Sequence, residues 1–480
     1  MKRWTNLYMI AGFTCGIWLA VAALANAATE DLDDRDITLA VESRLLVEDA
    51  VPSHRIDVST QNGVVTLSGS VNHYYTKLLA KMATESVKGV VGVLDHVEVQ
   101  STDRLDSRIR SDVVSELMQD PVTDAFDIDV NVEEGVVTLT GEVDSYAEKT
   151  LAESVAAKVH GVTDVTNQLT YDLIRDRSDA EIQLEVRSRL RANASINSGL
   201  LSVTVDDGQV TLAGSTASRV EKTAAAAEAW TVPGVQSVTN NIEVQWWLTR
   251  ETSDWSDEWT DEDMRRATES AMRTNPRVNS SKINTTVENG VATLTGMVSN
   301  MQAKRAAEKE AQDILGVWRV RNFLRVRPTL VRTDAAISQD IREALHRSPH
   351  LDGYDIAINV SNGMASLTGE VDSRFQKSEA EELAAGVPGV VAIRNRLEVD
   401  YPFTAKTDRE IKEDIQDQLH WSPFVDSEDI TVEVHSGVAT LKGSVNDWNE
   451  LQAARENARD GGAVAVINKL SINNASAGTD

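Results

Sequence analysis

Gly135-Val136-Val137-Thr138-Leu139-Thr140-Gly141-Glu142-Val143 is one of six versions of a single stretch. The others start at Gly63, Gly208, Gly290, Gly363 and Gly437, at intervals of 72, 73, 82, 73 and 74 residues. A fixed period sets the architecture before any local reading, because each repeat is one supersecondary unit. The shared pattern is Gly-x-Val/Ala-Thr/Ser-Leu-x-Gly. Just upstream in the second repeat, Ile128, Val130 and Val132 alternate with Asp127, Asp129 and Asn131, and Glu133-Glu134-Gly135 supplies a turn. Alternation on both sides of a short Gly-containing turn predicts a β-hairpin. On its second arm Val137, Leu139, Gly141 and Val143 share one side. Gly141 and its counterparts Gly69, Gly214, Gly296, Gly369 and Gly443 predict a close approach to the strand backbone. The expected visitor is the following helix, around Ala152 to Val159; a ligand contact is the alternative.

Working outward, each repeat opens with an Asp: Asp34, Asp106, Asp179, Asp261, Asp334 and Asp408. Three residues later an apolar periodicity begins, as in Ile109, Val113 and Leu117 or Ile411, Ile415 and Leu419. That spacing predicts a helix with one buried face, and the Asp is the expected N-cap. After the hairpin come a second helix and a closing strand, Gly161, Val162, Val165, Asn167 and Leu169 in the second repeat. Asn167, Asn240, Asn322, Asn395 and Asn468 share one position, where the first repeat has Asp95. A side chain bonded to nearby backbone accounts for that series. The fold class is therefore α+β: six tandem αββαβ units, each a three-stranded sheet with two helices on one face. The boundaries read from the sequence are 31–101, 103–172, 177–245, 260–328, 333–401 and 407–474, with an acidic Trp-rich linker at 246–259.

The formal charge is −28 over 480 residues. Such a surface repels nucleic acid and anionic membranes over most of its area. Residues 1–27 have the form of an export signal: Lys2 and Arg3, an apolar run from Leu7 to Leu24, then Ala25-Asn26-Ala27. An uncleaved membrane anchor is the rival reading. The sole cysteine, Cys15, lies in that run, so a chain cut after it has no disulfide or thiolate chemistry.

The order of elements, the Gly-x-Val-Thr-Leu-x-Gly arm and the closing Gly-Val-x-x-Val-x-Asn-x-Leu strand resemble the BON domain, over about residues 31–473. The resemblance implies an exported protein of the bacterial envelope, without catalysis, that engages phospholipid surfaces, proteins or small solutes. It carries no catalytic motif and no cofactor.

Two places depart from the repeat. The longest insertion, 246–263, holds Trp246, Trp247, Trp255 and Trp259 among seven carboxylates. They form either a clamp between the two halves of the chain or an aromatic recognition surface. The fourth unit, Thr260 to Arg332, has 13 Lys/Arg against 8 Asp/Glu, a net of +5. In its closing strand Arg319, Arg321, Phe323, Arg325 and Arg327 alternate with Val320, Asn322, Leu324 and Val326. If the second set faces the helices, four arginines and a phenylalanine occupy the open sheet face. Such a face suits phosphate head groups or an acidic neighbour in the same chain.

No nucleophile elbow, zinc-helix, phosphate-loop or calcium-loop pattern is present. The eight histidines read as scattered. The sequence thus points to a non-enzymatic periplasmic protein that binds an anionic phospholipid surface or envelope proteins. A chaperone or adaptor holding client proteins is the first rival, and an inert osmotic-stress protein the second. Oligomeric state has no signature in the sequence.

Overall fold

In the first unit a helix at Asp34–Val47 leads through a 3-10 turn into hairpin strands Ile56–Gln61 and Val64–Val71. A second helix, Tyr74–Glu85, then crosses to the closing strand Gly92–Val99. The computed structural model describes residues 32–100, 104–120, 122–123, 128–171, 177–248, 259–328, 332–400 and 406–473. Within them the same order recurs six times. The central strand of each sheet is the second hairpin arm, antiparallel to the first arm and parallel to the closing strand. The expected export segment 1–27 and Trp255 lie outside the described residues.

Each unit has its own core. In the second, Ile109, Val113 and Leu117 of the opening helix meet Val137, Leu139 and Val143 of the central strand, Leu169 of the closing segment, and Ala152 and Ala156 of the second helix. The second helices bury mainly alanines, such as Ala225 and Ala229 or Ala303, Ala307 and Ala311. Small side chains let a helix lie close on the sheet, where longer ones would overpack.

The strand glycines have a different purpose from the one read in the sequence. Gly69, Gly141, Gly214, Gly296, Gly369 and Gly443 have φ between 117° and 142°, a region L-residues disfavour. A Cβ on five of them would overlap the main-chain oxygen just before the facing strand, from Arg55, Leu200, Lys282, Asp355 or Asp429. The visitor is that carbonyl and not the following helix. Side-chain alternation reveals which side the glycine is on, but not its backbone conformation.

The opening aspartates also act differently. Helix capping falls to the residue before, through Asp33, Ser178, Thr260, Thr333 and Thr407. The repeat Asp sits in the first turn, and its carboxylate accepts both N–H groups of the hairpin turn. Asn62 and Gly63 donate to Asp34 at 2.8 and 2.9 Å; Asn289 and Gly290 donate to Asp261 at 2.7 and 2.9 Å. The other four units repeat this clasp. Both turn residues have positive φ in every unit, as a two-residue type I′ hairpin requires. Their N–H groups lie outside the strand ladder and need a partner. The asparagine series behaves as expected: Asn167, Asn240, Asn322 and Asn395 donate to a second-helix carbonyl at 2.8–3.1 Å.

The units dock in pairs that run against chain order. The N–H of Lys88 donates to Trp421 O at 2.9 Å, that of His160 to Arg347 O at 2.9 Å, and that of Leu315 to Ala192 O at 2.7 Å. Each donor precedes a closing glycine, and each acceptor ends an opening helix. Unit one therefore meets six, two meets five, and four meets three. In two of the three pairs the one-way sense is written in proline: the donor position is Pro233 in the third unit and Pro388 in the fifth, neither of which has an N–H. Gly461 of the sixth instead donates to Asn457 O of its own unit at 2.9 Å. In the third–fourth pair, Ala194 also donates to Asp313 O at 2.8 Å; the matching positions elsewhere, Pro349 and Pro423, cannot donate. Contact between the halves is thus spread over three unit pairs.

Candidate anion-binding interface

The fourth unit places its basic face by register. Ile283–Glu288 pairs antiparallel with Val291–Val298, and the closing segments Arg319–Asn322 and Arg325–Val326 pair parallel on its other side. Arg319 lies beside Val291, Arg321 beside Thr293 and Arg325 beside Met297. The ladder continues across the strand break, with Phe323 N–H donating to Leu294 O at 2.9 Å and Arg327 N–H to Val298 O at 2.8 Å. Leu324 points into the core at 2% exposure. Arg319, Arg321, Phe323, Arg325 and Arg327 are all exposed. Alternate residues on a strand stand about 6.6 Å apart, so the guanidinium groups form a row interrupted by one aromatic ring.

None of those four arginines is ion-paired to another described residue. The unit's helical side differs. Arg265 bonds Glu262 and Glu269, Arg266 bonds Glu262, Arg277 reaches Asp120 of the second unit at 2.7 Å, and Arg305 pairs with Glu381 of the fifth. The Arg265 pairing and its Arg266 counterpart hold the Glu262 carboxyl down at about 2. Arg265, Arg266, Arg277 and Arg305 are neutralised by carboxylates; the four on the open sheet are not. Glu288, exposed at the end of the outermost strand, is the carboxylate closest in register, across Val291 from Arg319.

Phe323 is 62% exposed and Met297 44% exposed, which adds an apolar patch to the arginine row. Met297 went unnoticed in the sequence. Its counterparts Ser70, Glu142, Ser215, Glu370 and Ser444 are all polar, and that contrast is the signal that marks it.

The tryptophans do not form one cluster. Trp246 and Trp247 meet edge to face at 5.9 Å, and the Lys88 ammonium of the first unit lies 6.0 Å from the Trp246 ring centre. Trp247 is about half exposed. Trp259 packs on the fourth core, donates its indole N–H to Leu315 O at 2.7 Å, and has the Arg191 guanidinium of the third unit 5.2 Å above it. The repeat glycines are backbone devices within each hairpin and contribute nothing to the exposed face.

Sequence separation hid one further grouping. His73, His160 and His350, from the first, second and fifth units, come together with ring centres 5.2 and 5.9 Å from His73. Among the described residues, no group of three His, Cys, Asp or Glu side chains has a geometry that could hold a metal ion.

The sequence profile of the BON domain matches residues 33–101, 105–172, 178–245, 260–328, 333–401 and 407–474. Osmotically-inducible protein Y of Escherichia coli (strain K12) is 34% identical over 145 residues, 29% of this chain and 72% of that protein. A protein of Anaplasma centrale, described as an uncharacterized protein in the gshII 5' region, is 32% identical over 123 residues, 25% of this chain and 82% of its own length. Among solved structures, the C-terminal domain of CdsD, a structural protein of the Chlamydia trachomatis type III secretion system, has 18% identity and a TM-score of 0.12, covering 44% of this chain and 97% of that one. The PrgH periplasmic domain has 13% identity and a TM-score of 0.12, covering 42% and 98%.

Proposed function

The chain belongs to the BON domain family, and from that premise we propose a non-enzymatic, exported protein of the bacterial envelope that docks on anionic phospholipid surfaces through the open face of its fourth unit. The observation carrying this reading is the row Arg319, Arg321, Arg325 and Arg327, exposed and without an ion-pair partner among the described residues, in a chain of net charge −28. An exposed apolar flank from Phe323 and Met297 complements charge attraction, as at other membrane-surface sites. Export to the periplasm rests on residues 1–27. A role under osmotic stress follows the name of the Escherichia coli relative.

Each arginine near an anionic surface contributes about 1 kcal/mol, so four together are worth about a thousandfold in affinity. The acidic remainder of the chain opposes approach, and screening beyond about 8–10 Å at physiological salt limits that opposition. The test uses the chain without residues 1–27 and sedimentation with neutral or anionic phosphatidylcholine-based vesicles. Binding to anionic vesicles that weakens as salt rises, and disappears in the variant Arg319→Gln, Arg321→Gln, Arg325→Gln, Arg327→Gln, is the expected result. Undiminished binding by that variant overturns the assignment of the face. Capture of an unfolded outer-membrane protein without vesicle binding replaces the reading with a client-holding one.

A further inference from the structure

Three units converge where the second helix of the first unit begins. His73 is the residue before that helix and its side chain makes no capping bond. Its ring meets His160 edge-on at 5.2 Å and His350 at 5.9 Å. The Nε2 of His350 lies 3.1 Å from the Thr76 hydroxyl, and its ring also meets Tyr75 and Phe375. Two backbone bonds hold the same place: Tyr74 N–H to Val162 O at 3.2 Å, and His160 N–H to Arg347 O at 2.9 Å. The histidines are therefore part of the joint between units.

We infer that this junction of the first, second and fifth units is an acid-sensitive seam, closed while the His73 imidazole is neutral and opened by its protonation with the unit cores intact. Like charges 5–6 Å apart repel most where water is excluded. The Nδ1 of His73 is buried with no hydrogen-bond partner, so a proton there gains no acceptor.

The surrounding charges divide. From the second unit, Arg104 bonds the His160 carbonyl and adds positive charge, while its partner Asp112 opposes it. Lys158 lies over the Tyr75 ring and reaches Glu382 at 3.4 Å. From the fifth unit, Asp352 lies 3.3 Å from His160 and 3.4 Å from His346, and Glu379 lies 3.3 Å from His350. Arg347 is occupied by Glu116. The carboxylates thus face His160, His346 and His350, and none is paired with His73, which makes His73 the least compensated member.

Its titration agrees with that geometry. Burial, then His160 and His350, hold His73 down at about 4 from an ordinary 6.5. Burial and then Arg104 lower His160, against the pull of Asp352. Because the closed value lies below the open one, seam stability is fully present above 6.5 and is lost as pH falls toward 4. For His73 alone, the open fraction rises about 30-fold between pH 7.5 and pH 5.

The amides of Tyr74 and His160 report the seam directly, since each is bonded across it. Their hydrogen exchange should be measured in the chain without residues 1–27 at pH 7.5 and 5, each relative to its chemical rate at that pH. The expected result is a loss of protection of about 30-fold at both amides, with Leu315, bonded across the third–fourth pair, still protected. His73→Gln should abolish most of that loss, and Asp352→Asn should move it to higher pH. Acid exposure unchanged in His73→Gln overturns the inference, as does unaltered protection in the wild-type chain. If His73→Gln misfolds, an NMR titration of the His73 ring in the wild-type chain decides: a value near or above 6.5 overturns the seam, and one near 4 supports it.

Discussion

The second and fourth units share a fold down to the same break in the closing strand, Asp164–Asn167 then Thr170–Tyr171 in one, Arg319–Asn322 then Arg325–Val326 in the other. Their inward residues correspond: Val165 with Val320, Asn167 with Asn322, Leu169 with Leu324. Their outward rows do not. Asp164, Thr166, Gln168 and Thr170 stand where the fourth unit has Arg319, Arg321, Phe323 and Arg325. The inward set is bound by the core and by the asparagine bond to the second helix. The outward set faces water and is free to differ. A repeat protein can thus keep one scaffold and vary its open faces unit by unit.

The largest expected effect tests the shared part. Gly141→Val and Gly296→Val should each cost their own unit about 3–5 kcal/mol, from a disfavoured backbone conformation in both and overlap with Lys282 O at Gly296. Calorimetric unfolding of the two variants checks this; a large loss in one unit and none in the other breaks the equivalence of the hairpins.

A smaller effect separates the helical sides. The fourth unit has Glu310 where the second has Val155. Burial pushes the Glu310 carboxyl up to about 7, with Asn275 pulling the other way. Asn275 donates to it at 2.7 Å, as Asn193 does to Glu228 in the third unit. A carboxyl raised on folding gives stability that is full below its ordinary 4.5 and lost as pH rises toward 7. Glu310→Gln should therefore stabilise the chain by about 3 kcal/mol at pH 8 and by little at pH 4.5, read from denaturant midpoints. An equal gain at both values contradicts the assignment. This dependence runs opposite to that of the histidine seam, so the two can be told apart in one pH series.

The smallest effect concerns the apolar flank. Phe323→Ala should weaken binding to anionic vesicles roughly fivefold, on the order of 1 kcal/mol for a partly buried ring, with unfolding unchanged. No loss at all would leave the arginines acting as a purely electrostatic row.

Much of this comparison was legible beforehand. The glycine period, the alternation and the turn residues identify six αββαβ units, because these are local consequences of backbone sterics. The outward placement of Arg319 to Arg327 follows from strand alternation alone. What stayed hidden depends on partners remote in sequence. Asp261 reads as a cap until its acceptance from Asn289 and Gly290 is visible. Gly296 reads as a helix contact until its φ of 126° is known. His73, His160 and His350 share no spacing, since docking between units brings them together. Pro233 and Pro388 encode the direction of docking in their two pairs, yet mean nothing until the donors His160 and Leu315 are seen.

The central claim is that the open face of the fourth unit, and not its fold or overall charge, confers attachment to anionic surfaces. The most direct measurement is vesicle binding by a chain whose fourth unit carries the second unit's outward row: Arg319→Asp, Arg321→Thr, Phe323→Gln and Arg325→Thr. With three arginines gone, affinity for anionic vesicles should fall at least about a hundredfold while the melting curve stays that of the wild-type chain. A transplanted chain that folds normally and binds anionic vesicles as tightly as the original would contradict the account.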